Sequence, residues 1–221
     1  MVTQASTTQT GTPSSAQSKH DPLAAIRPDM NQLNEVIRQT LHSEVPLVNQ
    51  ISEYLISAGG KRLRPAIHLL LTRALQNACP HSAYTLAAVV EFIHTSTLLH
   101  DDVVDESDLR RGRQTANAMF GNAASVLVGD FLYSRSFQMM VSVQSMRVME
   151  ILADATNVIA EGEVLQLLNV HDPDVTEARY MQVIHYKTAR LFEASAQLAA
   201  VMSGCTAEQF FFFSSRRRHT R

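Results

Sequence analysis

The chain has 221 residues, 45% of them hydrophobic, and a formal net charge of -2 at pH 7. This is enough for one folded unit with a substantial core. The near-neutral charge gives no overall basic field, which argues against nucleic acid or an anionic membrane surface as a partner, so any phosphate binding has to come from local cation clusters. The two cysteines, Cys79 and Cys205, lie far apart without metal-ligand spacing, a pattern typical of a reducing compartment.

Residues 1–22 form a segment rich in Ser, Thr and Gln with almost nothing to bury, so we expect a disordered N-terminal tail. This segment lacks the basic and apolar regions of a signal peptide. No stretch of the chain reaches the roughly 20 apolar residues that a membrane helix needs. We therefore expect no membrane span and a cytoplasmic location.

Apolar residues then recur at helical spacing. A first helix is predicted behind Pro28, a second from about Pro46 to Gly59, and a third with Pro65 in its first turn. Ser82 is predicted to cap a fourth. Further helices are predicted around 122–145, 147–169 and 176–203. Because no segment shows strand alternation, the predicted fold class is all-α, a helical bundle over residues 23–209.

The end of the chain changes composition abruptly. Four consecutive phenylalanines, 210–213, are followed by a basic run that ends at Arg221. One interpretation is a basic amphipathic tail that binds a membrane or nucleic acid. Four aromatics beside three arginines are poorly suited to a soluble surface, so we favour the interpretation that 210–221 is an aberrant, non-native tail.

The segment His100–Arg113 places carboxylates and arginines at the end of an apolar helix. If the helix continues, Asp101 and Asp105 lie four residues apart on one face, where they repel unless a divalent cation binds beside them. Oxygen ligands with open water positions suit Mg²⁺, which also takes phosphate oxygens. Asp102 points about 100° away and is a further ligand or a residue that supports the ligands. The alternative is a solvated acidic patch, but carboxylates near a helix C-terminus oppose the helix dipole and need compensation.

Cations flank this motif. Arg110 and Arg111 can clamp a diphosphate through forked hydrogen bonds, or they pair with the nearby carboxylates. Residues 59–65, GGKRLRP, place three cations before a helix N-terminus, itself an anion site, and the alternative there is a loop of solvated cations. His94 lies seven residues before Asp101 and is expected to face the same site.

Five motifs, in this order and spacing, resemble the trans-polyprenyl diphosphate synthases, most closely the bacterial octaprenyl type: GGKRLRP, HTSTLLHDDVVDESDLRRG, GDFLYSRSF, EGEVLQL and YKTARLF. The resemblance covers about residues 24–209. It implies an isoprenoid-synthase-type helical bundle around a central cavity. The family's second aspartate-rich motif does not occur in this sequence, so we expect a bundle that is incomplete at the C-terminus and a chain with little or no turnover.

The resemblance also implies residue roles. Asp101, Asp102 and Asp105 are expected to hold Mg²⁺ against an allylic diphosphate, farnesyl diphosphate or a similar compound, and with Arg110 they form the expected catalytic set. The residues implied in contacting the allylic substrate or lining its pocket are Arg110, Gln166, Lys187 and Thr188. The residues implied in binding isopentenyl diphosphate are Lys61, Arg64, His94 and Arg111.

The activity implied is the condensation of isopentenyl diphosphate with the allylic diphosphate to a long-chain all-trans polyprenyl diphosphate of the C40 class, for a quinone side chain, by a homodimer when intact. The growing chain must pass the residues one turn, about 5.4 Å, before Asp101. These are Ser96 and Thr97, whose small side chains leave the path open. Ser96→Phe is therefore expected to shorten the product.

Two other classes of protein remain open. A non-catalytic regulatory partner subunit of a synthase would be helical too, but it would not need intact aspartate and arginine motifs. A terpene cyclase also uses DDxxD on an all-α fold, but it has no second diphosphate substrate for the GGKRLRP cluster to hold.

Overall fold

The computed structural model describes residues 23–170 and 172–206, so the predicted tails 1–22 and 210–221 lie outside the described residues. After a 3-10 turn at Ala24–Ile26, the helices are α1 (Arg27–Leu41), α2 (Pro46–Ala58), α3 (Leu63–Gln76), α4 (His81–Val104), α5 (Ala116–Phe120), α6 (Asn122–Ser142), α7 (Met146–Leu168), α8 (Glu177–Ile184) and α9 (Arg190–Met202). A π-helix, His185–Ala189, joins α8 to α9. The all-α prediction is confirmed.

α4 is the central helix and packs against α1, α3, α5, α6 and α9. Residues 86–90 are completely buried, since this part of the sequence is apolar on every side. The carboxylates of α4 come later, at Glu91 and in the last turn. The charged residues of this helix thus follow its most deeply buried part.

Small residues bring α6 close to α4. The Ser96 hydroxyl donates to the Gly129 carbonyl at 2.8 Å, and the Ser125 hydroxyl donates to the Leu99 carbonyl at 3.1 Å. A Cβ atom at Gly129 would lie 2.4 Å from Nε2 of His100, so this glycine leaves the space that the His100 ring occupies. These contacts fix the final turns of α4 relative to α6.

Several predicted boundaries are confirmed. α2 ends at Gly59, which has a φ of +64°, and Pro65 lies in the first turn of α3. The predicted Ser82 cap was wrong: α4 begins at His81, behind Pro80. Pro80 already holds the extended conformation that an N-cap needs, and its carbonyl accepts from the Ala83 N–H at 2.9 Å.

Two local features were absent from the predictions. The helix predicted over 176–203 is interrupted by the π-helix. In addition, an antiparallel hairpin of β1 (Leu109–Arg110) and β2 (Arg113–Gln114) joins α4 to α5. Strands of two residues are too short to show alternation in sequence.

A buried carboxylate ties α1 to its neighbours. Asp29 is 4% exposed and accepts from Arg73 Nη1 of α3 at 2.6 Å and from the Tyr84 hydroxyl of α4 at 2.9 Å. The pair of hydrogen bonds satisfies both carboxylate oxygens and orients α1 across the start of α4. None of the helices in the described part of the chain combines the length and apolar character that a bilayer crossing requires.

Candidate functional site

The last turn of α4 sends adjacent carboxylates in different directions. Residues 99–104 include no Lys or Arg, so the charge at this helix C-terminus is compensated from other segments. Asp102 is 4% exposed and accepts a forked set of hydrogen bonds from Arg110, with Nε to Oδ1 at 2.9 Å and Nη2 to Oδ1 at 2.6 Å. This bond raises the pKa of Arg110. Asp101 lies on the other side of the helix and contacts Lys187.

A cavity of about 830 Å³, which we call the carboxylate cavity, opens beside Asp101. Asp101 and Asp105 both line it, as their four-residue spacing predicts, because the Asp105 N–H still donates to the Asp101 carbonyl at 2.7 Å. Its apolar lining includes Ile93, Val104, Ile159, Ala160, Val164, Leu167 and Val170. The cavity therefore combines a carboxylate pair with an apolar wall, and its volume suits a sizeable ligand.

Lys187, in the π-helix, contacts one member of this pair, Asp101, and also Glu163 of α7. Its Nζ lies 3.1 Å from Oδ2 of Asp101 and 2.6 Å from Oε2 of Glu163. Burial alone would lower the pKa of Lys187, but Glu163 and Asp101 outweigh it and the pKa is raised. Burial raises the pKa of Glu163 to about 7, and the neighbouring Asp101 adds to the rise. A π-helical turn is a frequent device at functional sites, and here it brings the ammonium to the end of α4.

A second, smaller cavity of about 110 Å³ lies on the Asp102 side of α4, and we call it the arginine cavity. The α2–α3 loop and the hairpin contribute cations to it. Its lining includes Arg62, Glu91, His94, Asp102, Arg110, Arg111 and Arg113. Such a surplus of guanidinium groups suits a phosphate or diphosphate group.

The hairpin is fastened to the α2–α3 loop. Arg111 Nη1 donates to the Gly59 carbonyl at 2.9 Å, and a Cβ atom at Gly60 would lie 2.7 Å from the same nitrogen. Arg62 is the N-cap residue of α3 and has a φ of +45°. Its Nε atom lies 3.9 Å from Oε1 of Glu91. The lack of a side chain at Gly60 thus leaves the space in which Arg111 docks.

The other residues predicted for this side lie nearby. Arg64 stacks on the ring of Phe192 in α9, 4.3 Å from its centroid, and burial lowers the pKa of Arg64. Lys61 is exposed. Glu91 is half-buried, and this burial raises its pKa, while the positive charges of Arg62, Arg64 and Arg111 act to lower it. The carboxylate of Glu91 thus offsets part of the mutual repulsion among these cations.

His94 does not share a cavity with Asp101, contrary to the expectation from their seven-residue spacing. It lines the arginine cavity, because the loop and the hairpin cover that side of α4 while α7 covers the other. Burial, together with the charges of Arg64, Arg111 and Arg110, lowers the pKa of His94 to about 3. The ring is therefore neutral at physiological pH, so it can donate one N–H without adding charge.

The residues expected to set chain length lie along the carboxylate cavity. Ser96 and Thr97 both line it, as does Gln166 of α7. Ser96 is only 1% exposed, while Thr97 is half-buried and its hydroxyl donates to the His94 carbonyl at 2.8 Å. Thr188 follows Lys187 in the π-helix and is exposed, outside the residues that line the cavity.

Sequence reasoning missed two members of these clusters. Glu163 lies within the EGEVLQL motif, of which only Gln166 was predicted to line the substrate pocket. Glu91 has no nearby partner in sequence, and its pairing with Arg62 depends on the approach of the α2–α3 loop to α4. For Glu91 the available signal was a lone carboxylate within the apolar stretch of α4, and for Glu163 it was its place in the EGEVLQL motif.

The residues present could hold Mg²⁺ only together with water and phosphate oxygens. Within 23–170 and 172–206, no three His, Cys, Asp or Glu side chains converge closely enough to hold a metal ion by themselves. Mg²⁺ needs no such cage, because it is usually bound by one or two carboxylates, water and phosphate oxygens. Asp101 and Asp105, which line the same cavity, could supply such a pair, whereas both oxygens of Asp102 accept from Arg110.

Comparisons with known proteins identify the family to which the chain is similar. The family model described as polyprenyl synthetase matches residues 45–214. The octaprenyl diphosphate synthase of Escherichia coli (strain K12) is 60% identical over 181 residues, which are 82% of this chain and 56% of that protein. The all-trans-nonaprenyl-diphosphate synthase (geranyl-diphosphate specific) of Rhodobacter capsulatus is 47% identical over 186 residues, 84% of this chain and 57% of that protein.

Solved structures give the same result. A decaprenyl diphosphate synthase from Rhodobacter capsulatus superposes with a TM-score of 0.83 at 49% identity, over 86% of this chain and 59% of that one. A polyprenyl synthase from Caulobacter crescentus CB15, complexed with calcium and isoprenyl diphosphate, gives a TM-score of 0.81 at 46% identity. The match covers 86% of this chain and 57% of that one. The chain thus spans a little over half the length of these relatives. The match over residues 45–214 and the 60% identity establish that the chain belongs to the polyprenyl synthetase family.

Proposed function

We propose that this chain supplies the two substrate sites of a prenyltransferase that condenses isopentenyl diphosphate with an allylic diphosphate into a long-chain all-trans polyprenyl diphosphate. One observation carries the proposal. The two sides of α4 face different cavities, one lined by Asp101 and Asp105, with Lys187 paired to Asp101, and the other lined by arginines and His94. An enzyme with two diphosphate substrates of different reactivity needs two such sites.

The carboxylate cavity is the proposed site of the allylic substrate. Asp101 and Asp105 would hold Mg²⁺ there, and the ion would neutralise charge on the diphosphate when bound. Lys187 Nζ, 3.1 Å from Asp101, is placed to donate to the same diphosphate. Gln166 and the apolar lining would contact the hydrocarbon tail. Asp102 takes another role: it holds Arg110 rather than the metal ion.

The arginine cavity is the proposed site of isopentenyl diphosphate. Arg111, Arg64 and His94 would bind its diphosphate, with Lys61 at the exposed edge. This substrate keeps its diphosphate during the reaction, so direct guanidinium contacts are sufficient to hold it. Because His94 is neutral, it would orient the group by hydrogen bonding rather than by charge.

The chemistry follows from this separation. On the allylic side the C1–O bond breaks and the cations around the diphosphate stabilise the departing charge. The double bond of isopentenyl diphosphate attacks the resulting allylic cation, a new C–C bond forms, and a proton leaves to the released diphosphate. No protein nucleophile is needed. The product has one additional isoprene unit, and repeated cycles lengthen it.

Binding measurements test the proposal on the 221-residue chain directly. We expect calorimetry to detect farnesyl diphosphate binding that requires Mg²⁺ and is lost with EDTA, together with isopentenyl diphosphate binding that persists in EDTA. Incubation with both substrates and Mg²⁺, followed by chromatography, tests elongation, for which we expect little turnover. Farnesyl diphosphate binding that is indifferent to Mg²⁺, or two substrates that displace each other, would contradict the assignment.

Thr97→Phe is expected to shorten the product. The half-buried Thr97 lines the carboxylate cavity, so an aromatic ring there would obstruct the tail. Ser96→Phe is the less specific test, because Ser96 is 1% exposed and bonded to Gly129, and a ring would disturb α4–α6 packing. Product chromatography after prolonged incubation at high protein concentration, which accumulates the product of slow turnover, is the measurement, with Thr97→Ser as the control. A product length unchanged by Thr97→Phe would refute the proposed path.

Gly60→Ala is expected to weaken isopentenyl diphosphate binding roughly tenfold, the effect of about 1.4 kcal/mol. The added Cβ would displace the Arg111 guanidinium, which lies 2.7 Å from its position. The backbone at Gly60 has no positive φ, so alanine itself is tolerated there. Calorimetry with isopentenyl diphosphate is the measurement. Arg111→Ala in the same background should add little, and a full additive loss would show that Gly60 does not act through Arg111.

The relatives' names support further details of the proposal. The C40 class follows the octaprenyl name of the E. coli protein, and such a product suits a quinone side chain. The Caulobacter structure contains calcium, and we propose Mg²⁺ as the physiological ion for this chain. Two free thiols, Cys79 and Cys205, are compatible with the cytoplasm as its location. The homodimer implied by the family resemblance is measurable by light scattering.

A further inference from the structure

The ammonium of Lys187 is shared between two carboxylates. Its distance to Glu163 is 2.6 Å and its distance to Asp101 is 3.1 Å, so the closer partner is the residue that lies outside the aspartate motif. The side chains of Lys187, Asp101 and Glu163 are 20%, 13% and 29% exposed, which limits screening by water. An ammonium this close to Asp101 competes with any divalent cation for the same carboxylate.

α7 also fixes the backbone from which Lys187 projects. A Cβ atom at Gly162 would lie 2.9 Å from the Lys187 backbone nitrogen and 2.8 Å from Cβ of Tyr186. The helix and the π-helix therefore touch at a glycine, and the next residue along α7 is Glu163. With the backbone held in this way, rotation of the Lys187 side chain decides how its ammonium divides between Glu163 and Asp101.

We infer that Glu163 is a positioning residue that draws the Lys187 ammonium away from Asp101 and so leaves the Asp101 carboxylate available to a divalent cation. The inference rests on the proposed function, since it concerns metal binding at the allylic site. Without the carboxylate of Glu163, Lys187 would form an exclusive pair with Asp101, and a metal ion would have to break that pair. Glu163 thus acts on the metal through Lys187, without being a ligand.

A double-mutant cycle tests this. The Kd for Mg²⁺ is measured by calorimetry at saturating inorganic diphosphate and pH 8 for the unmodified chain, Glu163→Gln, Lys187→Met and the double variant. We expect Glu163→Gln to raise the Kd about tenfold, the low end of effects for residues that support metal ligands. In the Lys187→Met background the same change should have no effect. Glu161→Gln, on an exposed position of α7, is the control that should leave the Kd unchanged.

Each contrary outcome has a distinct meaning. Equal weakening by Glu163→Gln in both backgrounds would show that Glu163 acts on the cation directly, which overturns the inference, as would an unchanged Kd. If Lys187→Met fails to fold, as judged by circular dichroism, Lys187→Gln takes its place in the cycle. Absence of diphosphate-dependent Mg²⁺ binding by the unmodified chain would overturn the proposed function itself, and the inference with it.

Discussion

Asp101→Ala is expected to weaken Mg²⁺-dependent farnesyl diphosphate binding at least about 100-fold, because a lost metal ligand removes several kcal/mol of charge stabilisation. Its effect on folding should be small, within about 1 kcal/mol, because Asp101 opposes the α4 dipole and its partner Lys187 retains Glu163. Calorimetry with and without Mg²⁺, and urea unfolding, measure the two quantities.

The adjacent Asp102→Ala is the matched comparison, and the opposite pattern is expected. Loss of the forked Arg110 bond at a residue 4% exposed should lower the free energy of unfolding by about 2 to 3 kcal/mol. Metal dependence of farnesyl diphosphate binding should persist, since Asp102 is not a proposed ligand. If Asp102→Ala abolished metal dependence while leaving stability intact, the assignment of the two aspartates would be reversed.

The second large effect is a loss of stability in acid that depends on His68. This ring is completely buried between α3 and α9, and its Nδ1 donates to the Ser195 carbonyl at 3.1 Å. Burial lowers the pKa of His68 from 6.5 to about 4, with the hydrogen bond to Ser195 offsetting part of the effect. The folded protein therefore keeps this side chain neutral over a range in which the unfolded chain protonates it.

The sign follows from proton uptake. Between pH 6.5 and 4 the unfolded chain binds a proton at His68 that the folded chain does not, so stability falls as pH falls through this window. Above pH 6.5 protonation of His68 does not affect the free energy of unfolding. By pH 4 it has lowered that free energy by about 3 kcal/mol, at about 1.4 kcal/mol per pH unit. Urea unfolding at several pH values between 7 and 4 measures the loss.

His68→Leu isolates this contribution. His94 and Glu163 also titrate in acid, but they are present in both proteins, so their contributions cancel in the difference between the two stability curves. We expect that difference to change by about 3 kcal/mol across the window. His81→Leu, at the exposed start of α4, is the control and should leave the curve's shape unchanged. Parallel curves for the unmodified chain and His68→Leu would contradict the assignment.

The helices and the main charged motifs could be predicted because their determinants are local. Helical spacing of apolar residues, Gly59 and Pro65 locate the ends of α2 and α3. The four-residue spacing of Asp101 and Asp105 places both on the carboxylate cavity, as expected for neighbours on a helix face. The role of Lys187 is predicted from the YKTARLF motif, and the structure brings its Nζ to 3.1 Å from Oδ2 of Asp101.

Partners of these residues could not be predicted, because they come from segments distant in the chain. Asp102 and Asp101 are identical and adjacent in sequence, and only the hairpin on one side and the π-helix on the other give them Arg110 and Lys187 respectively. His94 faces the arginine cavity for the same reason. A helix period gives the direction of a side chain, but the packing of other segments decides what it meets.

The fold class, most helix boundaries and the side chains proposed to bind diphosphate and metal could be read from the sequence, because periodicity, turn residues and motif spacing act over a few residues. Packing between distant segments sets the rest: the charges of α4 divide between two cavities, Glu163 shares Lys187 with Asp101, and Gly60 and Gly162 allow close contacts. Such contacts depend on the distances between segments that lie tens of residues apart in the chain. Close packing of the whole core determines these distances together.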